Sequence, residues 1–546
     1  MRPQMAAPDV VDQVLTYFLA SLASVARDWV AIFLSVVTGW FLAYAALKSK
    51  VFENVYVSVL ETLESVPVIS FFPVVLVAFV YGIGGRLGVE LAVLFLIFTA
   101  TTWNIWMGQY QAFKTVPRDV IEVAENLRFT FWDKMLKIYI PYSIPRIASN
   151  TLPSFANALF YITVSEVFSV GSAQFSVFGI GTIVAGLTAQ GDYVDLGIAL
   201  AVLAVVVVVN VLAITKFTDY AVSRYGFETE AVKVARRGRV RFGLTVRAGA
   251  TLSKAAQVAR LVPLRGRGYV MLEEEGEKGR KFEIPTKVTY SLLAVLFAGL
   301  IIYGFYVNWG AVETALPYTG QILLGLAYDY LRVTVISLVA FAIAIFGGYF
   351  LVTHPRVEKP VIAFLQTFSA FPAPAYFPIL FLATLPLVKS VFGPLTNEFY
   401  VLLLGFISTF YYIFYEVWLG IKNIPRPVWE LMDNLNLGFF TRLRRIVLPG
   451  LLPYIITGMS STVNSAWGGL AIGEFWPSIV QGQDLQVSHG LMLYFALWDE
   501  QGAVNLLAWG SFVFGVIVAI YSVLFTRKLM DLARKKYIIE ESLYLI

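Results

Sequence analysis

The chain of 546 residues has no cysteine. That excludes a disulfide framework, thiolate metal sites and cysteine nucleophiles, and it leaves the redox compartment unread. Histidine is almost as scarce, with only His354 and His489, too few to make a histidine-built metal centre the expectation,. Charge is the third shortage. Only 14% of residues are charged and 58% are hydrophobic, whereas a water-soluble domain carries about a quarter charged residues. A globule of this size would lack the polar surface to clothe itself, so the composition is that of an integral membrane protein. The net charge is 41 − 36 = +5, which gives no support to a nucleic-acid partner. No G-x-x-x-x-G-K-S/T loop, nucleophile elbow or pair of catalytic carboxylates occurs, so the expectation is a non-enzyme without a cofactor.

What the chain does have is long apolar stretches. A crossing needs about 20 mostly apolar helical residues, because backbone polar groups cannot be hydrated in lipid. Eleven stretches qualify, at 28–47, 65–84, 88–110, 150–172 and 195–216, then 288–308, 327–352, 371–391, 397–419, 453–478 and 505–526. Residues 9–26 carry apolar residues at helical spacing interrupted by Asp9, Asp12 and Gln13, as in an interfacial amphipathic helix or an extension of the first span. No cleavable signal pattern precedes them. The aromatic residues, 15% with 12 Trp, read as helix packing and interface belts.

Residues 216–287 break this pattern, with 16 Lys or Arg against 8 Asp or Glu, a local balance of +8. Such a segment reads as a cytoplasmic connector by the positive-inside rule. Parity then places 48–64, 111–149, 353–370, 420–452 and the basic tail inside. The opposite loops 173–194, 309–326 and 479–504 contain no Lys or Arg. The expected orientation has the N-terminus outside and the C-terminus in the cytoplasm of a cell-membrane protein. The domain expectation is a segment 1–27, a first helical domain 28–217, the linker 218–287, a second helical domain 288–530 and a tail 531–546.

The chain also repeats itself. Pro117-Arg118-Asp119-Val120-Ile121-Glu122 matches Pro425-Arg426-Pro427-Val428-Trp429-Glu430, a separation of 425 − 117 = 308. The same separation pairs Asn126 with Asn434, Lys134 with Arg442, Pro141 with Pro449 and Glu166 with Glu474. Both copies of this polar loop lie on one side of the membrane, so the halves are parallel repeats about an axis along the membrane normal and can enclose one pathway. Each loop is expected to form a short helix outside the bilayer, followed by a basic segment that stops at the proline, which then opens the next membrane helix.

Glu122, Ala124, Ile138 and Pro141, with Glu430, Ile446, Leu448 and Pro449, keep the spacing of the EAA loop, and the chain resembles two fused permease subunits of the type I ABC importer fold, most like the nitrate/sulfonate/taurine branch. The resemblance implies an all-α membrane fold of two parallel-repeat bundles with about eleven transmembrane helices. It also implies coupling helices that dock on two cytoplasmic ATP-binding subunits, an extracytoplasmic solute-binding protein, a small solute such as nitrate or a sulfonate, and lipid around the bundle. The ATPase-coupling residues it points to are Glu122, Ala124, Glu125, Asn126, Pro141, Glu430, Asp433, Asn434, Gly438 and Pro449. Arg128 and Asn436 stand where the family has glycine; arginine tolerates positive φ poorly, so the first loop is expected to turn differently from the second.

Glu166 and Glu474 lie at the ends of apolar helices, where a carboxylate is costly unless paired or wet, which makes them candidates for a pathway or gate. Asn157, Thr462 and Ser465 precede them and are candidates for lining it; Ser154, Asn464, Asn104 and Thr409 are further ones. The alternative is an ion-gradient-driven secondary transporter, which also uses repeats but has no need of two matched cytoplasmic helices.

Overall fold

The structure is a computed structural model that describes residues 10–49, 52–60 apart from 54 and 58, 75–170, 173–225, 309–422 and 424–521. The linker 218–287 beyond Tyr225, the span expected at 288–308, most of that at 65–84 and the tail lie outside the described residues. In the first half α1 (Val10–Lys48), α2 (Gly85–Lys114), α3 (Arg118–Asn126), α4 (Phe131–Lys134) and α5 (Ile140–Ser165) lead to strands β1 (Val167–Val170) and β2 (Ala173–Ser176), then α6 (Ile180–Gln190) and α7 (Tyr193–Tyr225). In the second half α8 (Trp309–Ala315) precedes α9 (Thr319–Thr353), α10 (Pro355–Ala370), α11 (Ala373–Phe392), α12 (Thr396–Lys422), α13 (Arg426–Asn434), α14 (Phe439–Arg442), α15 (Leu448–Gly450) and α16 (Leu452–Gly473). Strands β3 (Phe475–Val480) and β4 (Gln483–Gln486) follow, then α17 (Leu491–Glu500) and α18 (Val504–Tyr521).

The packing order repeats. Helix α2 lies between α1 and α5, and α12 lies between α9 and α16. One core gathers Leu96, Ile97, Phe155, Leu159 and Leu203; the other gathers Phe377, Tyr400, Trp467 and Phe514. Small residues let the helices of the second half approach closely: a Cβ at Gly469 would lie 2.6 Å from the Cα of Gly405, so any larger residue would push α12 off α16.

Among the described residues five helices are long and apolar enough to cross a membrane, or six if the bent pair Phe439–Gly450 and Tyr454–Gly473 is one span. One of the five is the stretch Ala373–Lys422, 50 residues long, which at 1.5 Å per residue far exceeds one bilayer. It is folded back at Gly393 (φ 51), so that Phe381 on α11 packs on Tyr400 on α12 with ring centroids 4.5 Å apart. Helix α5 falls short of the apolarity required, because Ser143, Arg146, Ser149, Asn150, Thr151 and Ser154 interrupt it.

Of the two readings of 9–26, the extension of the first span holds: one helix runs from Val10 to Lys48. Three expectations are corrected. The spans at 150–172 and 453–478 end early, at Ser165 and Gly473, where the chain turns into antiparallel hairpins. The stretch 353–370 is a helix, α10, opened by Pro355 and held by an ion pair between Glu358 and Lys422 at 2.7 Å. Pro141 and Pro449 stand in the first turn of the following helix, as expected, but they do not end the helical run before it. A π-turn precedes each, Met135–Tyr139 and Leu443–Val447, and its wider spacing accommodates a residue that lacks an N–H.

Candidate functional site

Two regions stand out. The first is the repeated loop. Helices α3 and α13 each end on a residue in the left-handed region, Arg128 at φ 53 and Asn436 at φ 46. Phe129 N–H donates to Ala124 O at 2.9 Å and Leu437 N–H to Met432 O at 3.1 Å, closing the same helix-terminating turn,. The expectation that Arg128 would turn the first loop differently is therefore wrong. The helix end needs this turn, and it imposes positive φ whichever residue is present. Lys134 pairs with Glu125 at 3.1 Å and Arg442 with Asp433 at 2.6 Å, tying each loop helix to the segment after it. The Arg128→Gly variant is expected to stabilise the first loop by about 1 kcal/mol by removing the Cβ penalty, read as slower amide hydrogen exchange over 118–129. Asn436→Gly should gain less.

Ala124 and Met432 face inward and are buried. Outward, the loops expose the same apolar set at the 308 spacing: Val123, Leu127 and Trp132 in one, Leu431, Leu435 and Phe440 in the other. Carboxylates flank them. Glu122, Glu125, Asn126, Glu430, Asp433, Asn434 and Gly438 are exposed, and Pro141 and Pro449 are half-buried behind them. Lys137 and Thr130 bond Asp133 and hold its carboxyl down to about 2. Exposed apolar patches rimmed by charge mark protein or membrane interaction sites.

The second region lies at the far ends of α5 and α16. Glu166 is fully buried and accepts from Ser24 Oγ at 2.6 Å, Arg27 Nη1 at 2.8 Å and Gly181 N at 2.7 Å. Arg27 also bonds Glu90 at 2.7 Å, and Ser24 Oγ accepts from Ile180 N at 2.9 Å. In the second half Arg332 bonds Glu474 at 2.9 Å, Glu398 at 2.7 Å and Asp329 at 3.1 Å. Leu493 N donates to Glu474 and Leu491 N to Asp329. The two knots share one plan: an arginine from the first helix, a glutamate from the second, and a glutamate at the end of the third that also caps the short helix beyond the hairpin, a position favourable to a carboxylate. Gly179 and Gly490 are required there, because a Cβ at either would overlap the glutamate carboxylate. The hairpins cross the halves: β3 packs on α6 and β1 on α17, and Gln481 N donates to Tyr193 hydroxyl at 3.2 Å.

Between the knots and the loops, a cavity of about 40 Å³ lies between the halves. Trp103 and Asn104 of α2 and Asn157 and Tyr161 of α5 form one wall; Tyr412 of α12 and Ser461, Asn464 and Ser465 of α16 form the other. Asn104 and Tyr412 are 308 residues apart, as are Asn157 and Ser465, so the cavity straddles the repeat axis. Asn157 and Ser465, with Asn104 and Asn464, are thus brought together. Thr462 is not in the lining; it is buried with its hydroxyl unbonded. Ser154 bonds Thr101 O and Thr409 bonds Gly405 O, both as packing. Glu166 and Glu474 are likewise outside the lining, held in the knots. Sequence reasoning missed Arg27, Glu90, Asp329, Arg332 and Glu398. Their signal was available, as charges within or at the edges of apolar stretches, with Glu90 and Glu398 at the 308 spacing.

A duplicated helical bundle with matched polar loops and a polar cavity between its halves defines an integral membrane protein of the transport class. Residues 35–217 and 336–538 each match the family model of the binding-protein-dependent transport system inner membrane component. The chain belongs to this family. It is 31% identical over 93 residues to a permease protein of Escherichia coli (strain K12) named for aliphatic sulfonates transport, covering 17% of this chain and 35% of the relative. It is 26% identical over 164 residues to the bicarbonate transport system permease protein of a Synechocystis strain, covering 30% of this chain and 53% of the relative. The chain thus spans about a third and about half of the length of these two curated relatives.

Proposed function

We propose that the chain is the membrane-spanning subunit of an ATP-driven importer, in which two helical halves enclose one pathway for a small oxoanion. The observation that carries this reading is the duplicated loop, with its common turn, its matched ion pairs and the same exposed apolar set. Helices α3 and α13 dock on a pair of cytoplasmic ATP-binding subunits, with Glu122 and Glu430 making charge-assisted contacts and the Glu125–Lys134 and Asp433–Arg442 pairs passing the motion to α5 and α16. An extracytoplasmic binding protein delivers the solute. The loops face the cytoplasm, the N-terminus lies outside and the C-terminus inside, in keeping with the positive-inside bias. The crossed hairpins close the outer mouth, latched by Glu166 and Glu474. The relatives' names, sulfonates and bicarbonate, support a small oxoanion as cargo.

The test is double charge reversal, Glu122→Lys with Glu430→Lys. Like-charge contacts cost several kcal/mol, so uptake in cells should fall by more than about tenfold while the chain still inserts and purifies. Undiminished uptake, with the ATP-binding subunits still bound, would remove the coupling role.

A further inference from the structure

Resting on the importer reading, the axial cavity carries a more specific statement about cargo. None of its eight lining residues carries a formal charge, and the arginines of the described bundle interior, Arg27 and Arg332, are committed to glutamates in the knots. We propose that this cavity is the solute-binding site, that it holds the oxoanion head through uncharged donors only, and that it accepts monovalent but not divalent anions.

The physical argument is one of charge and size. A volume of about 40 Å³ takes about one to three waters, room for an oxoanion head. Amide and hydroxyl dipoles from Asn104, Asn464, Ser461 and Ser465 can stand in for a hydration shell when they are held in place by the surrounding helices. They cannot neutralise a charge. The cost of moving an ion from water into a low-dielectric site is several kcal/mol per unit charge even after relaxation, and it grows as the square of the charge. A dianion therefore pays about four times what a monoanion pays, with the same few dipoles to offset it. The walls are also unequal, an amide facing a phenol at 104 and 412 and an amide facing a hydroxyl at 157 and 465. The site thus presents different groups to the two sides of its cargo.

The experiment uses the purified full chain in lipid nanodiscs without any binding protein, so that only this site is read, and sodium methanesulfonate, bicarbonate and sulfate as probes at matched ionic strength. Methanesulfonate or bicarbonate should raise the melting temperature and sulfate should not. The Asn104→Leu and Asn464→Leu variants should each weaken the response about three- to tenfold, as loss of a neutral hydrogen bond predicts. Ser461→Arg, which places a cation in the wall, should make sulfate stabilising. Equal stabilisation by sulfate in the wild type, no response to any probe, or variants that respond as the wild type does would each overturn the site. Uptake by cells separates the two levels. If wild-type cells import methanesulfonate or bicarbonate while the cavity variants keep full uptake and selectivity, the importer reading stands and this site falls. If wild-type cells import no oxoanion, the cargo assigned under the importer reading falls, and this inference with it.

Discussion

Oxidation of a Gly191→Cys, Gln481→Cys pair is expected to bring uptake close to zero, and a reducing agent to restore it. Gln481 lies at the tip of the β3–β4 hairpin of the second half and Gly191 at the end of α6 in the first. A Cβ built on Gly191 lies 3.5 Å from the Cβ of Gln481, within the range a disulfide spans. The chain has no other cysteine to compete. Gly191 has φ +71, so cysteine there carries about 1 kcal/mol of strain; each single variant should still transport. If the crossed hairpins form the outer gate, the bond staples the two halves together over the mouth and alternation stops. Full oxidation with unchanged uptake would place the gate elsewhere.

The second large effect concerns stability. Arg332→Met leaves Asp329 and Glu474, both fully buried, without their cation, and removal of one partner from a buried ion pair costs about 3–5 kcal/mol. Arg27→Met should cost a comparable amount. It strips the cation from the buried Glu166, and the neighbouring Asp28 is fully buried with neither carboxylate oxygen hydrogen-bonded. Unfolding of the two variants in matched detergent should give losses of the same order. A loss below about 1 kcal/mol for either would mean that its carboxylates are compensated by other groups. Replacing all of Arg332, Asp329, Glu398 and Glu474 with apolar residues of similar volume should recover much of the loss, because the penalty arises from uncompensated charge.

Much of this was legible in residue order. The 308-residue separation, read from prolines and charges, located both loops and their common turn, because duplicated sequence folds alike. Asn157 and Ser465 were also legible as one site, since equivalent positions on two related bundles meet at the axis. The hairpins were not. Residues 167–170 are apolar enough to extend a helix, whereas Pro477 within 475–480 was a readable stop,; both segments turn back where Glu166 and Glu474 meet the arginines and the N-termini of α6 and α17, a tertiary demand that in the first half overrides local preference. The π-turns escaped notice for a similar reason: a proline in sequence marks a missing donor, and only the structure reveals that the preceding turn has widened to suit it. Arg27 and Arg332 were hidden by a repeat offset of 332 − 27 = 305 in place of 308, so they do not align when the loops do.

The two hairpins differ in length. One runs from Val167 to Ser176, ten residues; the other from Phe475 to Gln486, twelve residues, with an irregularity between Trp476 and Val480. An assembly of identical protomers would greet any visitor to that face in two indistinguishable poses, with a statistical advantage of RT ln 2. Here the degeneracy is lifted. The two sides of that face are not equivalent, so a partner docking there, as proposed above, is offered two different hairpins and not one presented twice.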